Sequence, residues 1–278
     1  MKKTKFAYLF VYIILLIVAF VTLLPILYTV FGSFKTNMEI LSHPERLMSH
    51  EPTFDNYVQI FKSDDFNVGR MFLNSIMYSG FYVITSILIS VMAAYAFARG
   101  KFIGKKTWFA IFTSMMFINL GSITVYPLFE ILGKIHLSAS LYSLMVLQFF
   151  GINSIYIILI KSYIETLPKE LDESARIDGA GIMRIFFWII LPLSMPVFMT
   201  VAMFTFNAAM GQYFWPYLLI TDNNMTMLGV QLYKMKNSTF SIDYQMLAII
   251  FSIIPQVVVF TIFQKNIIGG VSAGAVKG

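Results

Sequence analysis

A cluster of ionisable side chains shares one short stretch of an otherwise apolar chain. Glu170, Asp172, Glu173, Arg176, Asp178 and Arg184 lie between Pro168 and Pro192, in PKELDESARIDGAGIMRIFFWIILP. The chemistry they support is recognition. A polar, charge-dense segment enclosed by apolar runs must be read by something outside the membrane.

The residues around these charges predict a short helix. Thr166 can cap it, Pro168 suits its first turn, and Glu170, Asp172 and Glu173 complement the positive end of a helix dipole. Gly179 and Gly181 bracket Ala180, and glycine is the usual residue where a helix ends in a left-handed turn, so the helix should stop about three turns after it starts. Leu171, Ser174, Ala175 and Asp178 fall at i, i+3, i+4 and i+7, a narrow stripe whose small central side chains allow a partner to approach closely. A helix resting on the lipid surface would instead carry Lys and Arg on its polar face and a broader apolar one.

Other chemistries find no support. The chain has no cysteine, which removes disulfides, thiolate nucleophiles and cysteine-ligated metals. His43, His50 and His136 are too scattered for a metal site. Gly100 to Thr107 (GKFIGKKT) resembles a phosphate loop, but its glycines are four apart rather than five and no strand precedes it. No Ser, His and acid arrangement and no carboxylate pair lies within the apolar runs. The net charge of +6 is spread over the ends of those runs rather than gathered in a patch for nucleic acid. The sequons at Asn224 and Asn237 are three-residue matches that carry little weight.

The elements that must position the charged segment are membrane spans. Of 278 residues, 58% are hydrophobic and 12% charged, against about 25% charged in a soluble domain. Apolar runs near twenty residues predict an all-α polytopic membrane protein rather than an outer-membrane barrel. Six transmembrane helices are expected, over about 6–31, 71–97, 108–129, 141–160, 185–210 and 245–263. Prolines 192 and 196 should bend the fifth, and Pro255 lies in the sixth. Lys2, Lys3 and Lys5 before the first span, and Arg99, Lys101, Lys105 and Lys106 after the second, put both termini in the cytoplasm by the positive-inside rule. The layout is a first span (1–34), an external loop (35–70), a five-span unit (71–264) and a cytoplasmic tail (265–278), all one transmembrane domain. The charged segment, 166–183, is then cytoplasmic, between the fourth and fifth helices.

With those residues in place, the chain resembles the membrane subunits of ABC importers. Their signature is a Glu-Ala-Ala segment, a glycine four residues further on and a later Ile-x-Leu-Pro. Here these read Glu173-Ser174-Ala175, Gly179 and Ile189-Ile190-Leu191-Pro192, with Ser174 replacing the first alanine. More narrowly it is similar to carbohydrate-importer permeases of the maltose-transporter type, in particular the smaller of their two paired subunits. Asn74-Ser75, the AYAFA run before Arg99, Trp215-Pro216 and the tail Gly274-Ala275-Val276-Lys277-Gly278 carry that likeness, which covers nearly the whole chain.

The resemblance implies a binding-protein-dependent importer in the bacterial cell membrane. This chain would pair with a second homologous permease subunit as a heterodimer and form half the pore for a sugar. Two ATPase subunits would drive it and an extracytoplasmic solute-binding protein would feed it. The chain itself would be no enzyme and hold no cofactor, ATP and Mg being used by the ATPases. In such a permease Glu170, Glu173, Ser174, Ala175, Asp178 and Gly179 form the coupling helix that docks on an ATPase, and residues 274–278 reach between the two ATPases. Sugar contacts are expected from polar and aromatic groups near the membrane middle, which makes Asn119, Gln148, Asn153, Asn207, Gln212 and Trp215 candidates. The alternative is an ion-coupled secondary transporter without an ATPase. Such proteins usually show an internal repeat and buried acids, and no acid lies in the middle of any predicted span.

Overall fold

The computed structural model describes residues 2–62, 67–118, 121–137, 140–149, 151, 153–236 and 241–275. Among the described residues every regular element is helical. The first, α1 (Lys2–Gly32), is apolar on all sides and exposed over its stretch from Tyr8 to Leu27, as a helix in lipid is. Then α2 (Asn37–Ser42) starts at Thr36, whose hydroxyl accepts the Glu39 N–H at 3.3 Å, and α3 (Asp55–Lys62) follows. The buried Asn56 donates to the carbonyls of Ser33 and Lys35 at 3.1 and 2.7 Å, so this part of the predicted loop is packed rather than a loose connector.

The second predicted span is one helix, α4 (Val68–Arg99). The third is not. Instead α5 (Lys105–Ser114) runs into a 3-10 turn at Met115–Phe117, and a second such turn, Gly121–Thr124, leads into α6 (Val125–Lys134). Thr113 turns its hydroxyl back on the carbonyls of Phe109 and Ala110, Ile118 is extended, and Asn119 and Gly121 are poor helix formers, so mean hydropathy overstated the continuity of this stretch.

The fourth predicted span is a pair, α7 (Leu141–Phe149) and α8 (Ser154–Thr166), interrupted around Gly151. The charged segment forms α9 (Glu170–Ile177). The fifth predicted span comprises α10 (Ile182–Ile185), a π-helical turn over Phe186–Ile190, α11 (Leu191–Leu193) and α12 (Met195–Met210). It bends by 74° at Ser194, between Pro192 and Pro196, where two backbone N–H groups are missing. Last come α13 (Phe214–Leu219), α14 (Leu228–Lys236) and α15 (Ile242–Ala275), the sixth predicted span, which carries Pro255 within an unbroken helix. Among the described residues three unbroken helices are long and apolar enough to cross a membrane, and five segments are if each bent pair is one span.

The chain divides into two compact units, Met1–Phe72 with Leu228–Ile254, and Leu73–Met227 with Pro255–Gly278. The first packs Ile60, Val68 and Met71 against Leu228, Met235, Leu247 and Ala248. The second is built on Val91, Ala94 and Phe97 of α4, Ile157, Ile160 and Ile164 of α8, and Ile185, Ile190 and Val201 beyond the charged segment. That core holds α9 in place.

Candidate functional site

Two assemblies of the second unit bring the predicted site residues together. The first is the charged segment. Its helix is shorter than predicted, eight residues, and Thr166 does not cap it: Thr166 ends α8 and donates its hydroxyl to Tyr163 O at 2.7 Å. Lys169 takes the cap position without a side-chain bond, its carbonyl accepting from the amides of Asp172 and Glu173 at 3.0 and 3.1 Å. Glu170, Asp172 and Glu173 occupy the first turn and Arg176 the last, the order that a helix dipole favours.

The end of α9 is closed as the glycine predicted. Gly179 has φ +80°. Its N–H donates to Arg176 O at 3.0 Å and that of Ala180 to Ala175 O at 2.9 Å, the paired bonds that satisfy a helix's last carbonyls around a left-handed residue. Ala175 and Ala180 both pack on the unit's own core. The small-residue stripe therefore divides: Ala175 is turned inward and partly buried, while Glu170, Glu173, Ser174 and Asp178 are exposed. Ile177 and Ile182 add apolar surface beside them, 87% and 64% exposed.

The sequence reading missed what anchors this helix. Asp172, on its inner face, sits 2.8 Å from Arg99, the last residue of α4, with side-chain exposures of 8% and 5%. Arg99 also donates through Nη2 to Leu167 O at 2.7 Å. Removing one partner of such a buried pair costs about 3–5 kcal/mol, because the other charge is left uncompensated. Each residue had a sufficient local explanation, a helix dipole for Asp172 and membrane topology for Arg99, so no sequence signal joined them. Beside the pair lies a cavity of about 600 Å³, lined by Tyr95, Arg99, Lys101, Arg176 and Ile182 among others.

The second assembly gathers three of the six substrate candidates. Gln148, Gln212 and Trp215 line a cavity of about 210 Å³ with Tyr78 and three leucines, Leu128, Leu144 and Leu147. Gln148 donates to the Ser86 hydroxyl at 3.3 Å, and Trp215 is held edge-on by Phe214 at 5.4 Å between centroids. Two amides and two aromatic rings over apolar walls suit a polyhydroxylated ligand with one hydrophobic face. The volume is below the roughly 300–1,000 Å³ of ordinary ligand pockets, the scale of a subsite and not of a whole oligosaccharide.

The remaining candidates lie elsewhere. Asn153 caps α8, its side chain accepting the Ile155 N–H at 3.1 Å. Asn207 is on α12 with its amide oxygen buried and without a hydrogen bond, and it does not line the cavity. Asn119 lies outside the described residues. So do Val276, Lys277 and Gly278, whereas Gly274 and Ala275 close α15 as helix. Among the described residues no group of His, Cys, Asp and Glu could hold a metal ion.

Residues 86–272 match the family described as binding-protein-dependent transport system inner membrane component. The chain is 33% identical to the galactooligosaccharides transport system permease protein of Bacillus subtilis, over 97% of this chain and 95% of that one. It is 31% identical to the trehalose/maltose transport system permease protein of Thermococcus litoralis (95% and 94%) and 30% identical to the diacetylchitobiose uptake system permease protein of Streptomyces coelicolor (95% and 87%). Its fold is that of a chain in the crystal structure of a bacterial ABC transporter involved in the import of the acidic polysaccharide alginate, with a TM-score of 0.80 at 24% identity over 96% of this chain and 98% of that one.

Proposed function

The chain belongs to the family of binding-protein-dependent transport system inner membrane components, as a carbohydrate-uptake ABC permease, and on that premise we propose how it works. It forms half of the pathway for an oligosaccharide, paired with a second, homologous permease, driven by two ATPase subunits and fed by an extracytoplasmic binding protein. The chain crosses the membrane six times, the interrupted 105–134 stretch serving as one crossing, with both termini and α9 in the cytoplasm. ATP and Mg are used by the ATPases and not by this chain. The curated relatives named above carry galactooligosaccharides, trehalose or maltose, and diacetylchitobiose by their names, which supports a short oligosaccharide as substrate.

The observation that carries the mechanism is the surface of α9. Glu170, Glu173, Ser174 and Asp178 face outward on a helix whose inner face is fixed to the unit's core, and Gly179 turns the chain back toward the membrane at once. One exposed charge pair is worth only about 0.2–1 kcal/mol, so docking on an ATPase rests on shape, with the exposed Ile177 and Ile182 contributing apolar contact. Closure of the ATPases then displaces α9, and α8 and α10–α12 move with it. Residues 274–278 are the part of the tail that reaches between the two ATPases. In the pathway, Gln148, Gln212 and Trp215 form a sugar subsite: the amides bond hydroxyls and the indole takes the C–H face of a ring.

Reconstitution with the partner permease, ATPase and binding protein in lipid vesicles tests this reading. Uptake of one oligosaccharide from a galacto-, gluco- and chito-oligosaccharide panel should require ATP and the binding protein. Uptake by this chain without an ATPase, driven by an ion gradient, would contradict it.

A further inference from the structure

Docking of α9 leaves one buried contact unused, the cation at the end of α4. We propose that Arg99 is a positioning residue that clamps α9 to α4, so that displacement of the coupling helix is delivered to α4 as well as to the helices joined to it by chain. The inference rests on the coupling reading above.

Arg99 grips the elbow between α8 and α9 from a third element. Its Nε lies 2.8 Å from Asp172 in the first turn of α9, and its Nη2 donates at 2.7 Å to Leu167, the residue that ends α8. Leu167 is 68 positions away in sequence, so α4 is linked to the elbow through space and not along the chain. The base of the clamp is itself held. Lys105 Nζ donates to the carbonyls of Ala98 and Gly100 at 3.4 and 3.0 Å, which fixes the last turn of α4, and Ala94 and Phe97 are buried in the core that also seats Ala175 and Ala180.

A basic residue that served membrane topology alone would keep its head in water, as long side chains at helix ends do. Arg99 instead has 5% side-chain exposure and points inward. One guanidinium thus bears on both helices of the elbow, through an ion pair with Asp172 and a hydrogen bond to Leu167 O, a span that the single ammonium of a lysine does not cover. The cavity beside it, lined by Arg176 and Gly181 from one side and Tyr95 and Gly100 from the other, means that α4 and the α9 turn meet chiefly at this pair on that side.

The test uses the assembled importer in lipid vesicles and reads the ratio of ATP hydrolysis with and without the sugar-loaded binding protein, a ratio that does not depend on how much complex is recovered. The double variant Arg99→Gln with Asp172→Asn removes both buried charges together. Its ratio should fall by about 5-fold or more, the scale of an allosteric coupling, while the subunits still co-purify. Asp172→Glu should retain most of the wild-type ratio. If the double variant does not assemble, Arg99→Lys decides, since it keeps the charge and loses one of the two contacts, and it should show a reduced ratio. A wild-type ratio in the assembled double variant, or in Arg99→Lys where that variant decides, overturns the clamp. Absence of stimulation in the wild-type complex instead overturns the coupling reading on which it rests.

Discussion

The amide of Ala180 donates to the carbonyl of Ala175 at 2.9 Å across the left-handed residue Gly179, and both alanines pack on the same core. This bond sets the direction in which the chain leaves α9. The turn that ends the helix and the contact that seats it are therefore one structure.

Substitution of Gly179 should act through backbone conformation and not through crowding. A Cβ at this position would meet no atom within 4 Å, but φ is +80°. A side chain there costs about 1–2 kcal/mol, less for Asn, which tolerates the left-handed region. Gly179→Ala and Gly179→Val should insert normally and lower sugar transported per ATP hydrolysed, with Gly179→Asn nearer wild type. Parallel uptake and hydrolysis assays on vesicles check the order, and wild-type coupling in Gly179→Val would count against the turn's role.

The two polar residues Gln148 and Asn153, five positions apart, should give different phenotypes. Gln148→Ala removes a group lining the small cavity and should raise the sugar concentration for half-maximal transport by about 2- to 10-fold, the worth of one neutral hydrogen bond. Asn153→Ala removes a helix cap and should cost about 0.5–2 kcal/mol of stability, leaving that concentration unchanged. Uptake titrations and thermal unfolding in detergent separate the two.

The 36–51 segment should loosen in acid. Glu39 accepts from the Ser49 hydroxyl at 2.6 Å and the His50 N–H at 2.7 Å, and these bonds, with Lys35 and Arg46 nearby, hold its carboxyl below its ordinary value. A group whose folded pKa is depressed contributes stability that is present above its unfolded value and lost as pH falls through the folded one. Hydrogen exchange at the His50 amide should therefore speed up as pH falls below about 4.5, after correction for the intrinsic rate, and the effect should vanish in Glu39→Gln. An unchanged protection profile would refute the link.

How far the sequence went depends on whether a feature was local. Gly179 was legible because a positive φ after a helix selects for glycine, and the Pro192 and Pro196 bend because proline lacks an N–H. The α4 span was legible from an unbroken apolar run. The break between α5 and α6 was not, since an apolar run near twenty residues reads as one helix whatever Thr113 and Gly121 do to the backbone. The Thr166 cap was misplaced because Thr166 bonds backward into α8. The pair Arg99 and Asp172 spans 73 positions and is made by packing alone, which no local pattern encodes.

The central claim is that α9 docks on an ATPase, and the absence of native cysteine allows a direct measurement. Ser174→Cys, exposed on the outer face, becomes the sole thiol of this chain, to be crosslinked to a cysteine in the surface cleft of a cysteine-free ATPase, with and without nucleotide. The account predicts a crosslink whose yield changes when nucleotide closes the ATPases. No crosslink at any cleft position, in a complex that co-purifies and transports, would contradict it.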